Sequence, residues 1–407
     1  MELEDEYKRG TVKNISQKMI DYCFRDCEIV YKALLETFYM AGCVRLTAAS
    51  LALAYFRNKH LSYEIKFERE KTDLFFDSYF GGRVEAFRLG NVLCNKYDVN
   101  SEYPYVMSIT QFPHPSHLEI KNCPSKSFLT YAIKFFEGMG KFVVKHKNTF
   151  FGSLPVKLND KLIFPTGIFS GHWNFNELRF AIEIGYVEIL ACEYICYSQR
   201  LLKTPFDNYV KQLYKVKQTS KHEAEILKAK IFLNTLYGKF GEKLKYETMY
   251  LPEIDFDFIE LLKKKDRFIE ISLFSQDRKD CMITYKRKKD EQVKHAIASF
   301  ASYITSAARI YLLKNMLENE SKGICYCDTD SIFSSQEINF VDNGQLGEWK
   351  LENDKVIEIR GNKNYTYTSN KEVIKKIKGV PKGAEFHNGV YLYKALVKSK
   401  LGLRKKN

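Results

Sequence analysis

The order of apolar and polar positions along the chain first predicts a set of helices. Apolar residues recur mostly at helical spacing over residues 14–40, and a second helix is predicted over 46–58. Two more are predicted at 205–217 and 222–237, the latter stopped by Gly238, and a long amphipathic helix at 295–317. The stripe that this last helix is expected to bury comprises Ile297, Phe300, Ile304, Ala307 and Tyr311.

Strand-like runs lie between these helices. A strand is predicted at 84–87, and a second one from Leu93 onward ends in a turn at the Asn/Ser cluster and Pro104. The run "GICYCDTDSIF" predicts a hairpin. Residues 111–195 suggest short strands punctuated by prolines, which is typical of an irregular insertion, and 242–292 mixes "FDFIELL" with lysine runs and suggests another inserted module.

Composition narrows the class of protein. The 407 residues are 45% hydrophobic and 14% aromatic, which predicts a globular chain of two to four domains. The net charge of +14 favours a polyanionic partner. Ten scattered cysteines match neither a zinc ribbon nor a disulfide framework. With no run of about 20 apolar residues and an acidic amino terminus, a soluble protein of a reducing compartment, without a membrane partner, is expected.

Three acidic residues carry the candidate chemistry. Asp328 and Asp330 flank Thr329 at the tip of the predicted hairpin, and alternation of side chains along a strand predicts that they point the same way. Asp98 also ends an apolar strand before a chain reversal. A solvated, Asp-rich turn would explain "DTD" alone. Three converging carboxylates are instead suited to Mg²⁺, a hard cation that prefers oxygen ligands.

Three motifs, in a fixed order, resemble those of the family B DNA polymerases. "DVNSEYPYVM" is similar to the first polymerase motif of that family, "KIFLNTLYGKFG" to the second and "YCDTDS" to the third, with "YFGGRVEAF" ahead of the first. The resemblance is closest to the protein-primed branch of viruses, organellar genomes and linear plasmids. That branch carries insertions between the motifs, where residues 111–200 and 242–292 lie.

The resemblance assigns roles at the site of reaction. It implies that Asp98, Asp330 and the carbonyl of Val99 bind two Mg²⁺ ions, and that Asp328 supports them as a further catalytic residue. Two metals of this kind clamp the attacking and leaving oxygens in phosphoryl transfer. The residues implied to bind the nucleotide are Ser101, Tyr103, Lys217, Lys230, Asn234, Tyr237 and Gly238.

Some of these nucleotide contacts also follow from spacing. Lys230, Asn234 and Tyr237 are four and three residues apart and share a helix face, so Lys230 can meet phosphate while Tyr237 packs on the base pair; a basic surface helix is the alternative. Tyr103 resembles the ring that excludes a 2′-hydroxyl, although it could belong to the core. Lys217 is displaced by one position from the family pattern, so Lys215 or Lys221 could replace it.

Two shorter elements resemble DNA contacts of the family. "YFGGR" resembles the element that approaches the template phosphates, which implies DNA binding by Tyr79, Gly81 and Gly82; a plain tight turn is the alternative. "GNKNYTY" matches a Lys-x-Tyr element that contacts the primer, which implies roles for Lys363 and Tyr365. The basic carboxyl-terminal tail would suit a thumb on duplex phosphates.

The implied fold class is α+β, a right-hand polymerase fold with an antiparallel palm sheet, helical fingers, two inserted modules and a short thumb. The predicted boundaries are an exonuclease remnant at 1–60, palm at 61–110 and 293–380, insertions at 111–202 and 242–292, fingers at 203–241 and a thumb, expected to be incomplete, at 381–407.

Two departures from the family pattern carry expectations of their own. "YCFRD" resembles the third exonuclease motif through Tyr22 and Asp26, with no room upstream for the first two, so 3′–5′ exonuclease activity is not expected of this chain. Glu102 occupies a position where an apolar residue usually precedes the gate tyrosine. Its charge would either weaken nucleotide binding or turn outward.

The resulting hypothesis is a DNA-directed DNA polymerase that adds deoxynucleotides to a 3′-hydroxyl. Its implied partners are primer–template DNA, deoxynucleoside triphosphates and, from the branch, a terminal protein that supplies the priming hydroxyl. A catalytically inactive DNA-binding remnant and a reverse transcriptase are the alternatives. The wealth of Lys, Asn, Ile, Phe and Tyr suggests an AT-rich coding source, compatible with a mitochondrial, viral or plasmid-encoded element.

Overall fold

A computed structural model describes residues 17–45, 47–61, 64–243, 246–273, 280–286, 293, 295–369, 372–380, 385–387, 390–392, 395–399 and 402–406. Its helices are α1 (Gln17–Ala41), α2 (Ala48–Tyr55), α3 (Arg69–Asp73), α4 (Glu102–Ile109), α5 (Lys126–Phe135), α6 (Phe175–Glu183), α7 (Asp207–Thr219), α8 (Glu223–Phe240), α9 (Phe256–Lys264) and α10 (Ala298–Glu318).

The strands of the described part are β1 (Val84–Ala86), β2 (Gly90–Val99), β3 (Gln111–Pro113), β4 (Glu119–Asn122), β5 (Glu137–His146), β6 (Val156–Leu158), β7 (Lys161–Ile163), β8 (Gly167–Asn174), β9 (Val187–Ser198), β10 (Leu201–Lys203), β11 (Tyr246–Leu251), β12 (Phe268–Leu273), β13 (Cys281–Lys286), β14 (Ile324–Asp328), β15 (Ser331–Ser334), β16 (Trp349–Gly361), β17 (Asn364–Ser369), β18 (Glu372–Ile377), β19 (Glu385–His387), β20 (Val390–Leu392), β21 (Ala395–Ser399) and β22 (Gly402–Lys406).

The chain divides into two compact units. The first contains the described residues up to Glu64 together with Lys211–Leu236, and the second contains Ile65–Val210 and the described residues from Tyr237 onward. In the first unit, α2 begins at Thr47, whose hydroxyl accepts a hydrogen bond from the Ser50 N–H, and one π-helical turn follows α2. The domain boundaries predicted above stay predictions.

An antiparallel sheet of seven strands is the centre of the second unit, as the sequence predicted. Its strand order is β1-β14-β15-β2-β16-β17-β18, and every neighbouring pair is antiparallel. β14 and β15 are buried along their whole length, which explains why the run over residues 324–327 is continuously apolar instead of alternating. Leu312, Leu313 and Met316 of α10 pack with Tyr97 and Ile332 of this sheet.

The long helix α10 differs from its prediction. It is not amphipathic, because most of its residues are buried around the whole circumference. Ala307 and Tyr311, two members of the predicted stripe, are only partly buried, whereas polar residues such as Ser302 and Thr305 are fully inside. A helix surrounded on most sides by protein has no solvent face, so its hydrophobic periodicity carries little information.

The first insertion is more regular than the short strands predicted for it. It contains a four-stranded antiparallel sheet of order β4-β9-β5-β8, packed with α5 and α6 around Trp173. Gly138 and Gly140 lie inside β5, where a Cβ on Gly140 would come within 2.6 Å of the Tyr194 carbonyl oxygen. There the glycine allows two backbones to approach closely.

The second insertion and the carboxyl-terminal segment are smaller. β11-β13-β12 form a sheet that buries Ile283 against Ile259 and Leu262 of α9. In the predicted thumb, the described residues form two hairpins, β19–β20 and β21–β22. Among the described residues, no helix combines the length and the apolar character that crossing a membrane would require.

Candidate active site

Asp98 and Asp330 lie side by side at one end of the seven-stranded sheet. Asp98 of β2 pairs with Ser331 of β15, and the Val99 N–H donates a 2.8 Å hydrogen bond to the Asp330 carbonyl. Asp330 lies in the two-residue turn between β14 and β15, where Thr329 has a φ of +61°. The prediction that Asp330 points the same way as Asp328 because side chains alternate along a strand therefore does not apply, since Asp330 is in a turn. The turn, together with the pairing of β15 with β2, places Asp330 next to Asp98.

The two carboxyl groups strongly influence each other. Burial, and secondly the charge of Asp330, raise the pKa of Asp98 to about 7, although Lys96 opposes this shift. Burial and the charge of Asp328 raise the pKa of Asp330, against the charges of Lys363 and Lys376. Two partly buried carboxylates whose backbones are this close are costly when both are ionised, so the arrangement favours a cation near them.

A pH dependence follows for the metal-free protein. The folded-state pKa of Asp98, about 7, lies above the unfolded value of about 3.9. The stabilisation from this group is complete below pH ~4 and is lost as the pH rises toward 7. We expect the melting temperature of Asp98→Asn minus that of the parent to grow over this range in EDTA. The exposed substitution Asp160→Asn is the control, and its melting temperature should differ from that of the parent by an amount that does not change with pH. The same pH-independent difference for Asp98→Asn would contradict the prediction.

Asp328 has a cationic partner within the protein. The Lys363 ammonium lies 2.8 Å from Asp328 Oδ1, and the Lys363 backbone N–H donates to the Tyr326 hydroxyl. Lys363 was predicted to contact DNA, and in this structure it offsets the charge of Asp328. This pairing leaves Asp98 and Asp330 as the two carboxylates whose charges most need a metal.

The donor set fits magnesium bound together with a substrate. Mg²⁺ commonly takes one or two carboxylates and completes its shell with phosphate and water. Asp98 and Asp330 supply such a pair. Within the described ranges, no three His, Cys, Asp or Glu side chains are placed to enclose a metal ion by themselves. The arrangement thus suits a cation that arrives with phosphate oxygens, and the role of the Val99 carbonyl stays a prediction.

Glu102 points into the protein, which decides between the two orientations considered above. It lies in the first turn of α4 and is 1% exposed. Neither of its carboxylate oxygens has a hydrogen-bond partner among the described residues. Burial, followed by the charges of Asp330 and Asp98, raises its pKa well above the ordinary value.

Tyr103 and Tyr237 form a stacked pair beside these carboxyl groups. Their ring centroids are 4.4 Å apart and the rings are 2° from parallel. Tyr237 lies on α8, which continues past Gly238 to Phe240, so Gly238 does not end the helix as predicted. Tyr79 is near Tyr237 and touches Gly241, where a Cβ would lie 2.5 Å from its Cε1. The two predicted nucleotide-site tyrosines are therefore in direct contact.

The predicted phosphate-binding residues lie on the helices of the first unit. Lys230 and Asn234 are exposed one helical turn apart on α8, while Ala229 and Leu233 of the same helix are buried. Burial, and the charge of Lys230, lower the pKa of Lys217. Two ammonium groups that influence each other suit an anionic ligand. Ser101 precedes α4 in a left-handed conformation, with φ of +58°.

The loop Tyr79–Arg83 packs directly on the Asp328–Asp330 turn. The Thr329 N–H donates a 2.7 Å hydrogen bond to the Arg83 carbonyl. A Cβ on Gly82 would lie 2.6 Å from Thr329 Cγ2, whereas one on Gly81 would meet no atom within 4 Å. Gly82 is thus required by packing against the turn, while the open side at Gly81 leaves room for the predicted DNA contact.

These two glycines make a matched test. Gly82→Ala is expected to destabilise the protein by about 1–3 kcal/mol, because the added methyl group overpacks the turn, and to reduce primer extension through displacement of Asp330. Gly81→Ala should change the free energy of unfolding by less than about 1 kcal/mol. Chemical denaturation measures both. Equal losses would contradict this packing role, and Thr329→Ala should partly rescue Gly82→Ala.

Sequence reasoning missed the buried residues that hold this loop. Arg309 of α10 forms a bidentate ion pair with Glu177 of α6 and donates to the carbonyl oxygens of Phe80 and Gly81, at 2.9 and 3.0 Å. The Arg83 guanidinium lies 4.1 Å from the Phe164 ring centroid. The only signal in the sequence was an arginine within the otherwise apolar helix pattern.

Three further predicted residues are not joined to the carboxylate pair by any contact among the described residues. Tyr365 is 2% exposed and packs on the rings of Tyr326 and Phe333, so most of this side chain belongs to the core of the sheet. Tyr22 and Asp26 are exposed on α1 in the first unit. Their descent from an exonuclease motif stays a prediction.

Comparisons with known proteins identify the family of the chain. The family model described as "DNA polymerase type B, organellar and viral" matches residues 1–322, which include the first two motifs and end before Asp328. A "Probable DNA polymerase" of Podospora anserina is 29% identical over 375 residues, which is 82% of this chain and 29% of that protein. The "DNA-directed DNA polymerase" of Enterobacteria phage PRD1 is 26% identical, over 90% of this chain and 63% of its own length.

Solved structures show the same fold. Phi29 DNA polymerase complexed with primer–template DNA superposes with a TM-score of 0.68 at 18% identity, covering 97% of this chain and 72% of that one. The chain spans between about a third and two thirds of the length of the relatives named above. The right-hand polymerase fold is therefore confirmed, and by its match over residues 1–322 the chain belongs to the organellar and viral DNA polymerases of type B.

Proposed function

We propose that this chain is a DNA-directed DNA polymerase that extends a 3′-hydroxyl with deoxynucleotides. One observation carries the proposal: Asp98 and Asp330, from separate motifs, are brought together by the 2.8 Å hydrogen bond from the Val99 N–H to the Asp330 carbonyl. Such a pair has the oxygen chemistry that magnesium-dependent nucleotidyl transfer requires. The alternative of an inactive remnant would not require both carboxylates.

Each residue of the site has its own proposed role in the reaction. Two Mg²⁺ ions bound at Asp98 and Asp330 would activate the 3′-hydroxyl and offset the charge of the triphosphate. Asp328 holds the Lys363 ammonium, which keeps positive charge next to the site where the primer strand would lie. Lys217 and Lys230 are proposed to bind the triphosphate, with Asn234 on the same helix face as Lys230.

The stacked tyrosines give the proposed nucleotide site its selectivity. Tyr103 would pack under the sugar and exclude a 2′-hydroxyl, and Tyr237 would pack against the new base pair. Since the two rings are 4.4 Å apart, they must separate before a base can lie between them. Ser101 and Gly238 flank these tyrosines in the sequence and are assigned to the same site.

The proposed partners are primer–template DNA and deoxynucleoside triphosphates. Tyr79, Gly81 and Gly82 would face the template, and Lys363 the primer, in keeping with the net charge of +14. The first insertion, with its own core around Trp173, is a rigid module on which a terminal protein could dock. Protein priming and a mitochondrial, viral or plasmid origin are proposed from the branch of the family alone.

Primer extension tests the polymerase proposal. The full chain is incubated with Mg²⁺, all four deoxynucleotides and a 5′-labelled primer on a DNA template, and elongation is expected. Absence of extension by the parent chain would favour the inactive remnant. Equal extension on an RNA template would instead favour a reverse transcriptase. The same gel reports 3′–5′ exonuclease activity as shortening of the primer, which we do not expect.

A further inference from the structure

Glu102 is a buried acidic group that the proposed reaction does not use. Both of its oxygens lack a hydrogen-bond partner in the described part of the chain, although the side chain is 1% exposed. An unpartnered polar group in a protein interior costs about 1–3 kcal/mol of desolvation, and more when it is charged. The family pattern has an apolar residue here, which would avoid this cost. A compensating interaction is therefore needed.

The surroundings of Glu102 indicate what that interaction is. The charges that act most strongly on it are those of Asp330 and Asp98, the two predicted metal-binding carboxylates. Glu102 also raises the pKa values of Tyr103, Tyr237 and Tyr311, so its carboxyl group is close enough to these tyrosines to act on them electrostatically. It is not one of three side chains placed to enclose an ion, so it acts on a metal from outside the ligand set.

We propose that Glu102 is a positioning residue of the metal centre, a third carboxyl group that raises the affinity of Asp98 and Asp330 for divalent cations by supplying negative charge next to the bound cations. The inference rests on the proposed function, because it needs a metal at this pair. Two divalent cations supply four positive charges, which three nearby carboxylates offset better than two. The amino terminus of α4 also favours a carboxylate in its first turn.

The test is a titration of melting temperature with MgCl₂, and separately with MnCl₂, on the full chain without DNA or nucleotide. Glu102→Gln keeps the shape and removes the charge. We expect it to need a cation concentration about 10- to 100-fold higher than the parent for half of the stabilisation by metal. Glu102→Leu introduces an apolar residue, as in the family pattern given above, and its half-stabilising cation concentration should rise by a similar factor. Glu183→Gln, an exposed substitution of the same kind, should match the parent.

The outcomes separate this inference from the proposed function. If both Glu102 variants titrate like the parent while Asp330→Asn loses the stabilisation, the metal site stands and Glu102 acts only as a space-filling group, which overturns the inference. If the parent itself gains no stability from either cation, the inference is also overturned, and primer extension then decides on the polymerase proposal independently. If Glu102→Gln does not fold, the midpoint of Glu102→Leu alone decides.

Discussion

Asp330→Asn is expected to reduce primer extension by at least about a thousandfold, equivalent to about 4 kcal/mol of activation free energy. The amide cannot replace an anionic oxygen as a ligand of Mg²⁺, and metal ions at such a centre contribute several kcal/mol to transition-state stabilisation. Single-nucleotide incorporation at saturating deoxynucleotide measures this loss in the chemical step.

The melting temperature of Asp330→Asn should not fall although its activity does, so a loss of activity cannot be attributed to loss of folding. Asp330 is partly buried and its charge acts on Asp98, so removing this charge relieves repulsion, and the metal-free variant should melt no lower than the parent. Asp160→Asn, at an exposed turn of the first insertion, is the matched control and should retain full activity. Extension by Asp330→Asn within tenfold of the parent would exclude Asp330 as a ligand.

Arg309→Met is expected to destabilise the protein by about 3–5 kcal/mol, because it leaves the Glu177 carboxylate buried without a counter-charge. Both side chains are 2% exposed, and the two ion-pair contacts are 2.8 and 2.9 Å long. The loss also releases the Phe80 and Gly81 carbonyls. Chemical denaturation gives the free energy of unfolding, and binding to a primed template should weaken as the loop moves.

Two further variants make this prediction specific. The double variant Arg309→Met/Glu177→Leu removes the uncompensated charge, so it should be more stable than Arg309→Met but less stable than the parent, because the two carbonyls remain unpaired. Arg360→Met breaks an exposed ion pair with Glu358 and should cost no more than about 1 kcal/mol. Equal losses for Arg309→Met and Arg360→Met would contradict a structural role for the buried pair.

The sequence predicted much of the site because its chemistry is local. Asp98, Asp328 and Asp330 lie in short motifs whose residue types identify them, and Lys230 and Asn234 follow from helical spacing alone. Five of the ten helices in the described part of the chain were predicted from local apolar periodicity, and the antiparallel sheet was predicted from the family resemblance. The burial of α10 and the regular sheet of the first insertion were not, since both depend on elements that are distant along the chain.

By itself, the sequence determined the family and the identities of the acidic residues, since a motif records which side chains are present and in what order. The tertiary structure alone decided which of them interact: it placed Asp330 beside Asp98, paired Asp328 with Lys363, turned Glu102 inward and set Gly82 against Thr329. The physical reason is that burial and charge pairing are properties of contacts between segments far apart in the chain, which no local pattern encodes.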